Sequence, residues 1–370
     1  MGSATEIYVD PSINANSGTG TIGDPYGDLQ YALDSTTQGT DGDRFNIKAG
    51  TAEVLTAAID LTTYGSPSWN TPLQFQGYTS AAGDGGQGEI SGGGTVQIYN
   101  TTTSSYTFFT DLKLGNTGTN AILSMTNNVY GHFLRCEFHT TSNVNMVVTT
   151  SGHKFFTNCY FHTWTYAGAD GRPILMDGTL YAIGNYIDTG TVDVNYVFKA
   201  YETRHNVVHN IIKMNHVNAV GIQVDRRGYV YGNSIYNGAA GTEGGIQHLG
   251  NNTGPTSIIS NLIEGFSGTG GAAIDETSVN KGFANYLLGN YYYNCTAAQN
   301  KLGDDFIENE ITLLTASPFA DAANGDFTPS AEIKDLGYPS SYGNGLTTSY
   351  RYPGAIQASG ATKVSYTSVY

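Results

Sequence analysis

Charged side chains are scarce in this chain of 370 residues, and positive charge is scarcer still. Asp, Glu, Lys and Arg together make up 13% of the residues, with 16 Lys plus Arg against 31 Asp plus Glu, so the formal net charge is −15. Phosphate contacts with nucleic acid require a basic surface. The composition therefore argues against DNA or RNA as a partner.

Cysteine and long apolar runs are also rare. Cys136, Cys159 and Cys295 cannot all pair within one chain, and their spacing is of neither the metal-binding nor the redox type. Cys136 and Cys159 take the same place in successive repeats, where we expect them to stack as small buried residues; a disulfide between them is the alternative. No apolar run reaches the length of a membrane span, so membrane insertion is not expected.

The chain does contain a short sequence repeat: an apolar residue or two, a polar residue, then more apolar or aromatic residues. The polar markers are separated by 24, 23, 27, 25, 23, 28 and 29 positions; they are Asp111, Arg135, Asn158, Asn185, Asn210, Asn233, Asn261 and Asn290. A period in the twenties indicates stacked units. Short runs rich in Val, Ile, Tyr and Phe between turn residues indicate that these units are strands.

One coil of three short strands uses about 25 residues, so the repeat predicts an all-β fold, a single-stranded right-handed parallel β-helix or solenoid. Asn at one corner fits this fold, because Asn tolerates the left-handed conformation and its amide can bond to the Asn of the next coil. A β-sandwich would instead show hairpin turns about every 8–12 residues without a long common period.

The chain is predicted to have three segments. Residues 1–50 form an N-terminal cap and the first strand, with Asp24 and Pro25 suited to begin a short capping helix. Residues 51–315 form the coils. Residues 316–370 form a C-terminal cap or an oligomerisation tail, because the open end of a β-helix must be covered.

Both ends resemble a known group. The strand Ile7-Tyr8-Val9-Asp10-Pro11, the helix that contains Asp28-Leu29-Gln30-Tyr31-Ala32-Leu33 and the strand from Gly42 to Thr51 are similar to the start of right-handed parallel β-helix proteins of the pectate-lyase-like superfamily, which includes many phage-encoded, virion-associated members. Ser317-Pro318-Phe319-Ala320-Asp321-Ala322 and Gly354-Ala355-Ile356-Gln357 resemble the ending common in that group. The resemblance implies the fold. It does not choose a function, because the superfamily holds lyases, glycosidases, epimerases, tailspikes and non-enzymatic adhesins.

Candidate site residues lie on a second strand, about nine residues before each Asn marker. Successive coils rise by about 4.8 Å, so polar side chains on this strand should form a row. The candidate catalytic residues are Asp177, Asp225, Asp275, Glu276, Lys199, Arg226 and His248.

Carboxylates one or two coils apart would suit a glycosidase. In a polysaccharide lyase, Lys199, Arg226 or His248 would be the base and carboxylates would hold calcium or neutralise a uronate. A solvated ladder without catalysis is the third interpretation.

Glycine (48) and tyrosine (27) are abundant and, with few charges, predict a surface of hydroxyls, amides and rings, which suits carbohydrate. The leading hypothesis is a phage virion-surface protein, a tail spike, fibre or capsid decoration, that forms a homotrimer and binds a cell-surface or environmental polysaccharide, with other virion proteins as further partners. The alternative is a polysaccharide lyase or glycoside hydrolase. A purely structural element is the third reading, and calcium is the one cofactor considered.

The localisation prediction follows from the first residues, Met1 to Glu6, which lack the basic start and apolar core of a secretory signal. Either a signal was removed and Met1-Gly2-Ser3 was left by cloning, or the natural protein is made without export, as expected for a virus released by lysis. The prediction is a virion surface, with a secreted, extracellular protein as the alternative.

Overall fold

The fold is an all-β parallel solenoid with few helices. This is a computed structural model, and it describes residues 4–13, 16–39, 42–61, 63–93, 97–101, 106–117, 121–125, 130–140, 147–149, 152–163, 174–176, 178–191, 195–200, 204–225, 227–249, 256–276, 285–300 and 306–333. The chain divides into two compact units, Met1–Thr165 and Tyr166–Val369.

The first unit consists of three parallel ladders of short strands. Its strands are β1 (Thr5–Val9), β2 (Asp43–Lys48), β3 (Ala52–Leu55), β4 (Leu73–Tyr78), β5 (Gly88–Gly92), β6 (Tyr99–Thr101), β7 (Tyr106–Thr110), β8 (Leu112–Asn116), β9 (Leu123–Met125), β10 (Tyr130–Leu134), β11 (Glu137–Thr140), β12 (Val147–Thr149), β13 (His153–Thr157) and β14 (Tyr160–His162). The first ladder joins β1, β2, β4, β7, β10 and β13. The second joins β3, β5, β8, β11 and β14, and the third joins β6, β9 and β12.

The core of the first unit is built by placing rings at the same register position in coil after coil. Phe45, Phe75, Phe109, Phe133 and Phe156 are partners along the first ladder and are all buried. Their ring centroids are 6.0, 5.1, 5.0 and 4.9 Å apart. Each coil therefore buries its apolar face against the coils on either side, as the repeat predicted.

A single α-helix, α1 (Leu29–Ser35), lies among the described residues of the first unit and buries Leu29, Ala32 and Leu33. It begins later than the sequence predicted. Asp28, not Asp24, is the N-cap, and its side chain accepts the N–H of Tyr31 at 2.6 Å. The backbone around Tyr26 is unavailable to a helix because Tyr26 pairs with strand β1, exchanging bonds with Tyr8 and Asp10. A helix near the N-terminus is thus present, and its function as a cap stays a prediction.

The second unit again has three parallel ladders. Its strands are β15 (Ile174–Met176), β16 (Thr179–Ile183), β17 (Tyr186–Asp188), β18 (Tyr196–Ala200), β19 (His205–Val208), β20 (Ile211–Met214), β21 (Val220–Val224), β22 (Gly228–Tyr231), β23 (Ser234–Asn237), β24 (Gly244–His248), β25 (Thr256–Ile259), β26 (Leu262–Glu264), β27 (Ala272–Glu276), β28 (Asn285–Tyr293), β29 (Ala297–Asn300) and β30 (Phe306–Leu313), followed by the antiparallel pair β31 (Phe319–Asp321) and β32 (Asp326–Pro329). Two 3-10 helices span Ala322–Asn324 and Ala331–Ile333.

In this unit the first ladder joins β16, β19, β22, β25, β28 and β30. The second joins β17, β20, β23, β26 and the end of β28. The third joins β15, β18, β21, β24, β27 and β29.

A buried asparagine ladder runs between the first two ladders of the second unit. The amide Nδ2 of Asn185 donates to Oδ1 of Asn210, and the same bond repeats from Asn210 to Asn233, Asn261 and Asn290, at 2.8–2.9 Å. The predicted amide ladder is confirmed. The prediction that Asn adopts the left-handed conformation in these coils is wrong, because the residue before each Asn has the positive φ: Gly184, His209, Gly232, Ser260 and Gly289.

The segment 314–333, which we name the strap, packs on the second ladder of the second unit. Its buried Leu314, Phe319 and Phe327 cluster with Ile211 and Leu262. Those two ladder residues alternate with the buried Ile212 and Ile263, so the strap covers the outer face of the ladder. Residues 316–333 of the predicted C-terminal segment thus lie along the side of the solenoid, and residues 334–370 lie outside the described part.

Candidate functional site

The strands that carry the predicted site residues are in register along the third ladder of the second unit. Lys199 pairs with Gln223, Gln223 with Gln247, and Gln247 with Asp275. We name these four residues the polar row. The predicted strands thus form one ladder, but the predicted register was one residue off, because Lys199 and Asp275 were aligned with Val224 and His248. Of the other candidates, Asp177 and Arg226 and the side chain of Glu276 lie outside the described part of the structure.

The polar row is linked by side-chain hydrogen bonds. Nε2 of Gln223 donates to Oε1 of Gln247, and Nε2 of Gln247 donates to Oδ2 of Asp275 at 3.3 Å. At the other end, the Lys199 ammonium lies 4.5 Å from the ring centroid of Tyr196, a cation–π distance. The row thus runs from a cation through two amides to a carboxylate.

This row is shielded from solvent. The relative exposure of its four residues is only 2–9%. His248 and Asp225 are buried to a similar degree; His248 is in register with Glu276, and Asp225 follows Val224 at the end of β21. The sequence suggested a cleft of mixed charge or a solvated ladder, but the described side chains form a buried polar ladder. A long polysaccharide cannot lie directly on it.

A carboxylate that was not among the predicted site residues lies beside the row. Glu243 immediately precedes β24, and its carbonyl accepts the N–H of Ala272 at 3.3 Å. Partial burial, and then the negative charge of Asp275, raise the pKa of Glu243 above its usual value. Strand alignment did not find Glu243, because it belongs to the glycine-rich turn before the strand; its acidic character in a carboxylate-poor chain was the one available signal.

A second candidate surface lies on the first ladder of the first unit, and we name it the aromatic strip. It consists of two columns of rings and one indole: Tyr106, Tyr130 and His153; Phe108, His132 and Phe155; and Trp69. In the first column the centroids are 4.4 and 4.9 Å apart, and in the second they are 4.5 and 4.1 Å apart. These residues alternate with the buried Thr107 and Phe109, so they face outward.

The aromatic strip is accessible, and it contains no carboxylate, lysine or arginine. Its column residues are half-buried, and Trp69, which meets Tyr106 edge to face at 6.0 Å, is 65% exposed. Burial lowers the pKa of His132 to about 4, so this imidazole is neutral at neutral pH. Polar groups continue the strip, because Gln74 pairs in register with Phe108 and its Oε1 accepts from Nε of Arg44 at 3.1 Å.

Two classes of ligand or environment, a bound metal ion and a membrane, find no support among the described residues. No group of three or more His, Cys, Asp or Glu side chains there is placed to hold a metal ion, so calcium, the one cofactor considered from the sequence, has no candidate ligand set in that part. No described helix has the length and apolar character needed to cross a membrane. Cys136 and Cys159 are buried free thiols, as the stacking prediction required.

Comparison with protein-family models, with curated proteins and with solved structures gave no match. The class that the structure defines is therefore the parallel β-solenoid.

Proposed function

We propose that this protein is a glycan-binding β-solenoid of the pectate-lyase-like type, presented on a phage virion surface as a spike, fibre or decoration. The observation that carries the proposal is the aromatic strip, a neutral outward surface of stacked rings with a protruding tryptophan. A solenoid supports this function because each ring is held by the two coils around it. The strip is ordered before a ligand arrives, so little conformational entropy is lost on binding.

The chemistry of the strip matches a neutral or weakly charged polysaccharide. Ring faces and edges contact the apolar faces of sugars, while hydroxyl, imidazole and amide groups at the ring edges pair with sugar hydroxyls. Within the columns the faces are occupied by neighbouring rings, so the exposed indole of Trp69 supplies the open stacking face. The Arg44 guanidinium is balanced by Glu6, 2.9 Å away, which keeps the local charge near zero.

Affinity electrophoresis in gels that contain neutral or acidic polysaccharides tests this proposal. We expect Trp69→Ala to weaken binding about two- to tenfold, since one aromatic stacking contact contributes roughly 0.5–1.5 kcal/mol. Tyr229→Ala is the matched control, because Tyr229 is a 45% exposed ring in the other unit. The proposal fails if no polysaccharide retards the parent protein, or if Trp69→Ala and Tyr106→Ala migrate as the parent does. Native mass tests the proposed homotrimer separately.

Glycoside hydrolysis is a second candidate, favoured by Glu243 and Asp275. A carboxyl group with a raised pKa beside a second carboxylate is the arrangement of a general acid with a base or nucleophile. Protonated Glu243 would give its proton to the leaving glycosidic oxygen as the C–O bond breaks. Asp275 would activate the water that adds to the sugar. Asp275 is itself a member of the polar row, so this candidate requires the sugar to reach the end of the row next to Glu243.

Release of reducing ends from a polysaccharide panel tests the second candidate. Glu243→Gln should lower the rate about 10²–10⁴-fold, the usual contribution of a general acid. Activity should also fall as the pH rises through the raised pKa of Glu243, because only the protonated form donates. Asp34→Asn, at an exposed carboxylate in the first unit, is the control. Unsaturated ends in place of hydrated ones would indicate a lyase, and unchanged rates in Glu243→Gln would exclude Glu243.

A further inference from the structure

An open groove lies in the second unit where the strap meets the second ladder. Its volume is about 320 Å³, and its lining includes Asp188, Thr191, Lys213, Asn215, Tyr236 and, from the strap, Ala323. This volume is at the lower end of the range for small-molecule sites. The groove is separate from the polar row, which lies on the third ladder of the same unit.

The polar groups of the groove come from three successive coils. Asp188, Lys213 and Tyr236 are register partners on β17, β20 and β23, so the ladder itself spaces them. Oδ2 of Asp188 accepts from the Lys213 ammonium at 3.1 Å, and Oδ1 accepts the N–H of Gly190 at 2.9 Å. A carboxylate held in this way still has acceptor sites on both oxygens, and a lysine ammonium has three donors, of which this ion pair uses one.

One wall of the groove is an aromatic ring in a fixed orientation. Tyr236 packs edge to face against Phe327 of the strap, with centroids 6.4 Å apart and planes at 82°. Burial, and then the nearby Glu264 and Asp321, raise the pKa of Tyr236, so its hydroxyl stays protonated. The strap thus contributes to the groove in two ways: Ala323 lines it, and Phe327 packs against the Tyr236 ring that forms its wall.

The charges in the groove identify the class of ligand. The charges of Asp188 and Lys213 cancel, so the pair offers no net electrostatic attraction to a strongly charged ligand. A neutral ligand that carries several adjacent hydroxyls can accept from the ammonium and the Asn215 amide and donate to the carboxylate, while one of its faces rests on Tyr236. We propose that the strap groove binds one or two units of a neutral sugar, as a subsite separate from the aromatic strip; this rests on the proposed function, glycan binding.

Titration calorimetry with glucose, galactose, N-acetylglucosamine, maltose and cellobiose tests the groove. We expect saturable binding of at least one of these sugars by the parent protein, at least a tenfold weaker Kd in Asp188→Asn, and loss of binding in Ala323→Trp, which fills the groove from the strap. Lys48→Met is the matched control, because it removes a comparable ion pair, with Asp10 at 2.6 Å, in the first unit.

The outcomes separate the groove from the strip. Trp69→Ala should leave the binding of the small sugar unchanged even where it weakens polysaccharide binding. If the small sugars bind and Asp188→Asn abolishes this while Trp69→Ala leaves polysaccharide binding intact, the groove stands and the strip proposal falls. If no sugar of the panel binds, or if Asp188→Asn and Ala323→Trp bind as the parent does, the groove proposal is overturned.

Discussion

Replacing Asn233 by Ala should destabilise the second unit by at least about 3 kcal/mol. The side chain of Asn233 accepts from the backbone N–H and the amide of Asn210, and it donates to Oδ1 of Asn261 and to the carbonyl of Val207, all at 2.8–2.9 Å. Truncation leaves at least three buried polar groups without these partners, at about 1–3 kcal/mol each. The loss should be large because no water reaches a residue that is completely buried.

Urea unfolding followed by circular dichroism, together with hydrogen exchange, measures this effect. The amides of the coils that contain Asn210 and Asn233 should lose protection first, since a solenoid depends on contacts between neighbouring coils. Asn218→Ala, at an exposed asparagine, should change the stability by no more than about 0.5 kcal/mol. Equal midpoints for Asn233→Ala and the parent would show that the amide ladder does not stabilise the fold.

The asparagine ladder also shows what the repeat could and could not predict. Marker spacing correctly indicated stacked coils and a continuous column of amides from Asn185 onward. In the first unit, however, the left-handed residues are the markers themselves: Asp111, Arg135 and Asn158. By this criterion Cys136 and Cys159, not the markers before them, occupy the position that Asn takes in the second unit. Sequence spacing alone could not separate these two adjacent positions, because the marker residue falls at the first of them in the first unit and at the second of them in the second unit.

The strand ladder of the candidate site was predictable, but its exact register and its exposure were not. Period and alternation placed Lys199 and Asp275 on one ladder, because strand pairing in a solenoid follows the repeat directly. Whether a ladder faces solvent depends on chain segments that pack over it, and no local pattern reports such packing. The strap is a similar case: its aromatic residues were visible in the sequence, but their contact with residues such as Ile211, more than one hundred positions earlier, was not.

Replacing Lys154 by Met should stabilise the protein at neutral pH. Lys154 lies on β13 between ring positions of the first ladder, and its side chain is completely buried. Burial lowers the pKa of its ammonium from 10.5 to about 7. At neutral pH, charging the Lys154 side chain therefore costs free energy in the folded protein. Met has a similar length and no charge, so it keeps the packing and removes the cost of burying a charge.

The pH dependence of this stabilisation has a defined sign. Between about pH 7 and pH 10.5 the unfolded chain binds a proton at Lys154 that the folded protein does not, so the stability of the parent rises with pH across this window. At about 1.4 kcal/mol per pH unit, the advantage of Lys154→Met should be roughly 3–5 kcal/mol at pH 7 and should approach zero near pH 10.5.

Thermal unfolding of both proteins from pH 6 to pH 10.5 measures the difference. Lys113→Met is the control, because Lys113 is a lysine of the same unit with a 37% exposed side chain, and its ion pair with Glu137 is long, at 3.7 Å. It should show no comparable gain at pH 7. A melting temperature of Lys154→Met that is lower than that of the parent at pH 7, or a difference that stays constant with pH, would mean that the Lys154 ammonium is stabilised in the core. Polar contacts of the Lys154 ammonium would then be part of what stabilises the core of the first unit.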